Sequence, residues 1–354
     1  MFDPTLAQVD MGTLTQGINT VWALVIAFLI FFMQPGFAML EAGQVRAKNS
    51  ANVVMKNMMD WSLGVLVWFL LGATVVAVVG GLTDPTVDMA FFSNFAAPGA
   101  SSAAWINWLF GAVFAMTAAT IVSGAIGGRM KFKSYVAFTV VMVALIYPVM
   151  PGIAWGGGLI AGNGYLGQLI GAGYKDFAGA TVVHALGGIA GLTAAYMIGP
   201  RKGRFDESGD AHPIPGHSML LAVLGTLILA FGWYGFNVGT QWQVLVVAED
   251  GSLTFMGAAL GRIVLVTTLG MGAGAVAAMA VSTAWQGKPD PLWMANGLLA
   301  GLVAVTGAVP HDTWWGGLLI GAIGGALVLP AYRWTVDTLQ IDDVCGVFAV
   351  HGAA

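Results

Sequence analysis

Long apolar stretches alternate with short polar ones along almost the whole chain. A helix that crosses a membrane needs about 20 mostly apolar residues, and the chain holds a series of stretches close to that length. The pattern predicts ten membrane-spanning helices: 19–44, 50–80, 103–127, 134–154, 176–199, 217–240, 255–283, 291–310, 314–336 and 343 onward.

The composition agrees with this pattern. Of the 354 residues, 58% are hydrophobic and 8% are charged, whereas soluble domains carry roughly 25% charged residues. The 51 glycines suit membrane helices, because small residues let helix backbones approach closely. We therefore expect an all-α polytopic membrane protein and exclude soluble enzymes, nucleic-acid binders, disordered chains and fibrous chains. An outer-membrane barrel is disfavoured, since barrel strands show weak alternation rather than long apolar runs.

Basic side chains predict the orientation, because Lys and Arg accumulate in cytoplasmic loops. With the N-terminus outside, 11 of the 13 basic residues fall inside. Lys175 falls outside and Arg262 lies within a span. The eleven are Arg46, Lys48, Lys56, Arg129, Lys131, Lys133, Arg201, Lys202, Arg204, Lys288 and Arg333.

We expect a single membrane domain over residues 1–354 in the plasma (inner) membrane. Residues 200–216, rich in charge, Gly and Pro, are predicted to form a cytoplasmic linker between halves of about 19–199 and 217–354.

Each half contains the pattern D-x-x-G-x-x-x-V-H. It runs from Asp176 to His184 in the first half and from Asp343 to His351 in the second. The two copies enter the membrane from opposite sides in the predicted topology. This is the pattern of a five-plus-five inverted repeat, as found in many transporters.

The repeat predicts a pair of histidines near the middle of the membrane. Each His lies eight residues after its Asp, which is about 12 Å along a helix, and the middle of the apolar layer is ~15 Å deep. Ionisable groups at that depth are candidates for function. Two histidines are too few for a zinc site, and Cys345 is the only cysteine. A proton relay or a substrate contact is therefore favoured over a metal site.

Five motifs carry a resemblance to a known family. They are PGFAMLEAGQVRAKN, AWGGGLIAGNG, DFAGATVVHALGGIAG, FGWYGFNVGT and DDVCGVFAVHG. In this order, and together with the histidine pair, they resemble the ammonium transporter family (Amt/Mep/Rh), on its Amt branch. The resemblance covers residues 19 to 354.

The resemblance implies a fold of eleven helices, an outside N-terminus and a homotrimer with one pore in each subunit. The sequence stops three residues after His351, so we expect the chain to be truncated within the tenth helix. A PII-type regulatory protein is an expected cytoplasmic partner, and no cofactor is implied.

The resemblance also implies a recruitment site for ammonium. It assigns this site to Trp155, Phe114 and Thr240. Many relatives have Ser in place of Thr240. Phe110 is expected to line the same wall. Phe114 and Phe236 are expected to form a stacked gate, with His184 and His351 as the paired histidines of the pore. Asp176 is expected to act as a structural and electrostatic group, and Asp343 as a helix N-cap. Gly179 and Gly346 are expected to allow close helix approach.

The implied mechanism separates ammonia from a proton. Ammonium is recruited at the aromatic site and loses a proton, ammonia passes the imidazoles, and the proton crosses along the histidine pair. A bare ion is costly in a narrow apolar pore, and K⁺ has no proton to lose. Whether the net event carries charge stays open at this point.

Other polar residues are expected to be structural. Glu41 is expected to form a buried ion pair, with Arg46 five residues later, or a helix-packing contact. Asp60 is expected to pair with Lys56 at i,i+4. His212, His217 and His311 are expected to be solvated or on the surface.

Two other functions compete with transport. An ammonium sensor would have the same membrane fold, with a cytoplasmic C-terminal signalling module that this chain does not contain. A neutral gas channel of the Rh type is disfavoured by Trp155 and the Amt-type motifs. An enzyme is not expected, because no nucleophile or metal set accompanies the histidines.

Overall fold

The computed structural model describes residues 10–84 and 100–354, and these residues are mostly helical. We number the helices in chain order. They are α1 Met11–Gln44, α2 Ala47–Gly81, α3 Ser102–Ala125, α4 Phe132–Ala154, α5 Tyr165–Ile170, α6 Ala180–Ile198, α7 Met219–Gly239, α8 Gly257–Gln286, α9 Pro291–Thr306, α10 Trp314–Thr338 and α11 Phe348–Gly352.

A small β-hairpin joins α7 to α8. Its strands, β1 Leu245–Val247 and β2 Leu253–Phe255, are antiparallel, with Val246 opposite Thr254. The Asn19 carboxamide of α1 anchors the hairpin, because its oxygen accepts from the backbone N–H groups of Val244 and Leu245 at 2.9 and 3.1 Å.

Within the described ranges, eight helices are long and apolar enough to cross a membrane, and α9 is a shorter apolar helix. These nine correspond to the first nine predicted spans, and the prediction of a helical multi-pass membrane protein is confirmed. The five residues of α11 lie in the tenth predicted stretch. The outside N-terminus and the inverted arrangement of the two halves stay predictions.

Capping side chains explain where helices differ from the predicted bounds. Helix α1 begins at Met11, before the predicted residue 19, because the Asp10 carboxylate accepts from the backbone N–H groups of Gly12 and Thr13. Such a cap satisfies donors that have no partner in the first helical turn. Helix α6 begins at Ala180, four residues after Asp176.

Helix α3 lies at the centre of the packing. Every residue from Ala112 to Ala125 is buried, and these residues pack with buried side chains of α1, α2, α4, α7 and the α10–α11 region. The central position of α3 carries Phe110 and Phe114 to one end of the bundle and Ser123 towards the other.

Both repeated motifs have the same local structure. Gly179 and Gly346 have positive φ values of 99° and 71°, a conformation that favours glycine. A π-helical turn then carries the histidine, His184 in Ala180–Ala185 and His351 in Phe348–Gly352. We had expected these two glycines to allow close helix approach. Their positive φ values show that the backbone conformation itself favours glycine at both positions.

An arginine cluster ties the 200–216 linker to the loop before α11. The Asp342 carboxylate lies 2.8 Å from Arg201 Nε, 3.3 Å from Arg204 Nε and 3.8 Å from Arg129 Nη1. All four side chains are buried. Burial alone raises the pKa of the Asp342 carboxyl, but the hydrogen bond and charge of Arg201 outweigh it and hold that pKa below its ordinary value. The start of the linker is thus packed against the bundle.

Candidate functional site

A cavity of about 460 Å³ opens at one end of the bundle. We call it the Trp155 cavity. It brings together Trp155, Phe114, Thr240 and Phe110, which the sequence assigns to recruitment, and Asp176. Its full lining is Phe110, Phe114, Trp155, Tyr174, Lys175, Asp176, Phe177, Thr240, Trp242, Gly307 and His311.

Aromatic rings are in contact along the cavity wall. The Phe114 ring centroid lies 4.8 Å from that of Phe110, 6.0 Å from Trp155 and 4.5 Å from Phe236. Phe114 and Phe236 are both buried, at 3% and 0% exposure. The two rings expected to form a stacked gate are therefore in contact, but they meet edge to face at 63° instead of stacking.

The polar groups of the cavity are held in fixed orientations. The Trp155 indole N–H donates to the Asp176 carbonyl oxygen at 2.6 Å, while 39% of the side chain stays exposed. The Thr240 hydroxyl donates to the Phe236 carbonyl oxygen at 2.7 Å. Since its proton is used in this way, the Thr240 oxygen presents lone pairs, which are suited to an N–H donor.

The Asp176 carboxylate binds the start of α6. Its two oxygens accept four backbone N–H groups, those of Gly179, Ala180, Thr181 and Val182, at 2.8–2.9 Å. Asp343 accepts two, from Val347 and Phe348, at 2.9 and 2.8 Å. Both carboxylates thus have the geometry of helix caps, and Asp176 is more completely occupied by backbone donors than Asp343.

Beyond the Phe114–Phe236 contact lie the two histidines. The His184 and His351 ring centroids are 5.3 Å apart, and the rings are inclined by only 16°. Both side chains are buried, and neither ring nitrogen of His184 nor Nδ1 of His351 has a hydrogen-bond partner among the described residues. A buried polar atom without a partner is costly, so these nitrogens are poised to bind a small polar molecule.

Trp233 stacks against His184. The two rings stack with centroids 4.6 Å apart and an inclination of 14°, and the Trp233 indole N–H donates to Thr306 Oγ1 at 2.8 Å. Glycine completes the arrangement, because a Cβ on Gly188 would lie 2.5 Å from the Gly352 backbone nitrogen. Helices α6 and α11 can therefore approach closely beside the histidines.

Two further cavities follow on the far side of His351. The first, the Glu41 cavity, has a volume of about 20 Å³ and is lined by His351, Glu41, Asn296 and apolar side chains. The second, the Asp290 cavity, measures about 170 Å³. Asn296 and Cys345 line both of them. The cavities and the histidine pair therefore form a line through the bundle.

For Glu41 the structure gives the second expected alternative, a helix-packing contact: Glu41 accepts from Ser123 of α3 and Asn57 of α2 and does not pair with Arg46. The expectation for Asp60 was wrong. Lys56 and Asp60 do not pair with each other, because the Lys56 amino group donates to the Met130 carbonyl and Asp60 accepts from Tyr135 and Thr139.

The three remaining histidines are exposed, as expected. His311, however, also lines the Trp155 cavity, and His212 pairs with Asp206 at 3.0 Å. That contact adds to hydrogen bonds from Ser208 and the Asp210 backbone, and together they lower the pKa of Asp206 to about 2.

Sequence reasoning missed Trp242, Trp233 and His311. Trp242 lies two residues after Thr240 in the motif region, and its ring is 4.4 Å from Phe110. Its proximity to Thr240 was the available signal. Trp233 lies inside the FGWYGFNVGT motif, but its stacking on His184 depends on how α6 and α7 cross, which the motif alone does not show.

Across the residues that the structure describes, no group of three or more His, Cys, Asp or Glu side chains is arranged to hold a metal ion. The fold and the line of cavities define a multi-pass membrane protein with a narrow path that begins at an aromatic site and passes two histidines.

Comparison with known proteins gives the family. The model of the Ammonium Transporter Family matches residues 21–354. The chain therefore belongs to the ammonium transporter family.

Individual relatives agree with this assignment. The chain is 71% identical over 348 residues to ammonium transporter Amt1 of Haloferax mediterranei, a match that covers 98% of this chain and 67% of that relative. It is 42% identical over 345 residues to ammonium transporter Amt2 of Archaeoglobus fulgidus, covering 95% and 69%.

Solved structures show the same fold. A structure titled Sensor Amt Protein superposes with a TM-score of 0.84 at 33% identity, covering 97% of this chain and 81% of that one. Mep2 of Candida albicans gives 0.75 at 25% identity, covering 94% and 70%.

Proposed function

We propose that this protein moves ammonium nitrogen through the line of cavities, as ammonium at the Trp155 cavity and as ammonia past the histidines. The observation that carries the proposal is the buried pair His184 and His351, which lies between two cavities and has ring nitrogens without protein partners. Such nitrogens suit a small molecule that both donates and accepts hydrogen bonds.

Recruitment takes place in the Trp155 cavity. A cation over an aromatic face gains ~0.5–2 kcal/mol, depending on how far it is desolvated. The exposed Trp155 ring supplies such a face, and the Thr240 oxygen accepts an ammonium N–H. Lys175 also lines the cavity, so the attraction comes from the rings and the hydroxyl rather than from a surplus of acidic groups.

Ammonium loses a proton before it passes the gate. The buried Phe114–Phe236 contact offers no oxygen ligands, and a bare ion pays heavily for entering such a place. Ammonia is neutral and costs far less. K⁺ has no proton to lose, so it does not enter the pore although its size is similar to that of ammonium.

The histidine pair receives the ammonia and carries the proton. Neutral imidazole has one donor and one acceptor nitrogen, so a ring can take a proton at one nitrogen and release one from the other. Two parallel rings with centroids 5.3 Å apart suit a relay from one imidazole to the next.

Transport is favoured over sensing. The relatives at 71% and 52% identity are both named ammonium transporters, whereas the structure titled as a sensor is 33% identical. The homotrimer and the PII-type partner implied by the resemblance are kept as proposals.

The test is solute flux into proteoliposomes that contain the purified protein. An ammonium gradient should produce uptake that follows the amount of reconstituted protein, and an equal K⁺ gradient should produce none. Equal rates for the two ions would contradict the proposal, because K⁺ cannot enter as a neutral molecule.

A further inference from the structure

A carboxyl side chain lies on the path beyond the histidines. Glu41 of α1 is 2% exposed and lines the Glu41 cavity together with His351 and Asn296. The cavity measures about 20 Å³, and about 10–15 Å³ is enough to hold one water molecule. Ammonia is of similar size, so a molecule that has passed His351 enters a space where Glu41 is one of few polar neighbours.

Two hydrogen bonds fix the Glu41 carboxyl group. Ser123 Oγ donates to one oxygen at 2.5 Å, and Asn57 Nδ2 donates to the other at 3.2 Å. A carboxylate accepts about four hydrogen bonds, so each oxygen keeps capacity for a further partner.

Among the described residues, no ion pair within 4.0 Å includes Glu41. The charged or titratable groups around it are Lys56 and Asp60 of α2, Tyr135 of α4, Cys345 and His351. Since Lys56 donates to the Met130 carbonyl, Glu41 is an acid without a dedicated counter-ion, and full burial favours its neutral, protonated form.

We propose that Glu41 reunites the proton with ammonia after the two have passed the histidine pair. This inference rests on the proposed ammonia path. The Glu41 O–H bond breaks, and its proton forms a new bond with the lone pair of ammonia, which leaves ammonium and a carboxylate. The carboxylate then takes the proton carried by His351, which returns to neutral imidazole. Ammonium leaves past Asn296 into the Asp290 cavity, and each cycle moves one positive charge.

The test measures two quantities on the same proteoliposomes, namely the current and the flux of nitrogen, followed as the total ammonium and ammonia that accumulates inside the vesicles. The wild-type protein should show both after an ammonium jump. Glu41→Gln keeps the shape but cannot exchange a proton; its oxygen can accept from Asn57, and its Nε2 can donate to Ser123 Oγ, whose own proton can go to the Thr120 carbonyl. It should lower the current by roughly 100-fold or more, the scale of a lost acid–base group, while the nitrogen flux remains.

Two further variants separate this role from a structural one. Asp60→Asn makes the same change in a buried carboxyl group that does not line the cavity, and it should leave current and flux unchanged. Ser123→Ala keeps the Glu41 carboxyl but removes the donor that holds one oxygen, and it should reduce the current while the flux persists.

The possible results distinguish a failure of the proposed function from a failure of the role assigned to Glu41. A wild-type protein without nitrogen flux would refute the proposed function itself. Flux without current in the wild type would overturn only the role of Glu41, as would full current in Glu41→Gln. Loss of both quantities in folded Glu41→Gln would also overturn it, since Glu41 would then be needed for conduction itself.

Discussion

Trp155 is held by its indole N–H while its ring face stays accessible. The hydrogen bond to the Asp176 carbonyl oxygen fixes the ring at the mouth of the path, at the point where α4 ends. The residue can therefore attract a cation without moving. Phe114 contacts Trp155 edge to face and separates this solvent-accessible site from the histidines.

Replacing Trp155 tests recruitment. In Trp155→Leu, the loss of ~0.5–2 kcal/mol of cation–π attraction should raise the ammonium concentration for half-maximal transport roughly 2- to 30-fold. The maximal rate should change less, because the path below the cavity is intact. Concentration-dependent uptake into proteoliposomes measures both quantities.

Trp314→Leu provides the matched control. Trp314 lies at the start of α10, is 57% exposed and does not line the Trp155 cavity. It should retain the wild-type concentration dependence. The same shift in both variants would mean that Trp155 has no specific role in recruitment.

Residue-level prediction succeeded where local sequence determines the role. Asp176 precedes an apolar helical run, and capping follows from that position alone. The partners of Glu41 and Asp60 were missed because Ser123 and Tyr135 come from α3 and α4, 82 and 75 residues away in sequence. No spacing rule within one helix contains that information.

The repeated element combines an Asp cap, a left-handed glycine and a π-helical turn that carries a histidine. The sequence pattern identified the matching residues, but the calculated depth assumed that a helix starts at the aspartate. In the first copy, regular helical structure begins only at Ala180, so His184 is five residues into the helix. The π turn then changes the direction in which the ring points, a feature that the apolar pattern does not encode.

The helices were predictable because long apolar stretches must form internal hydrogen bonds in a membrane. The short elements could not be predicted from this pattern. Helix α5 has six residues, and the β-hairpin depends on Asn19 of a distant helix. The buried Arg201 and Arg204 were assigned to a cytoplasmic linker, because charge in a polar stretch normally indicates solvent exposure.

The arginine cluster yields a stability prediction for the loop before α11. Asp342→Asn removes the carboxylate that pairs with three buried arginines, and loss of one partner in a buried ion pair costs about 3–5 kcal/mol. Thermal unfolding of the purified protein should shift to lower temperature. Unchanged unfolding at neutral pH would contradict the structural role of the cluster.

The same cluster predicts how stability depends on pH. The folded pKa of Asp342 is below its ordinary value. Its contribution to the free energy of unfolding is therefore fully present above about pH 4, the ordinary pKa of an aspartate. It is lost as the pH falls through the lower folded value. On acidification, the difference in free energy of unfolding between the wild-type protein and Asp342→Asn should disappear. A difference that stays constant with pH would contradict this linkage.

At the scale of the whole molecule, much of the outer surface is apolar. Leu220, Met197 and Ile170 are 78%, 79% and 75% exposed. Such surfaces face lipid or other subunits. We expect a homotrimer, and mass measurement of the purified protein after mild cross-linking should give a species of three subunits. A protein that remains a monomer while it transports ammonium would contradict this expectation.

The Trp155 cavity, the phenylalanine contact, the histidine pair and the two smaller cavities follow one another through the bundle. The Trp155 cavity measures about 460 Å³ and the Glu41 cavity beyond His351 about 20 Å³, and the rings between them are buried. This decrease in size fits the proposed substrate, which sheds its charge before it passes.

The most direct measurement is ammonium transport by the double variant His184→Leu, His351→Leu, reconstituted in proteoliposomes and compared with the wild-type protein. Leucine fills the space of the rings and removes every nitrogen that binds ammonia or carries a proton. We predict that the ammonium-driven current is lost while ammonium still binds at the Trp155 cavity. An ammonium current equal to that of the wild type, with K⁺ still refused, would contradict the account, because the path would then not depend on the histidine pair.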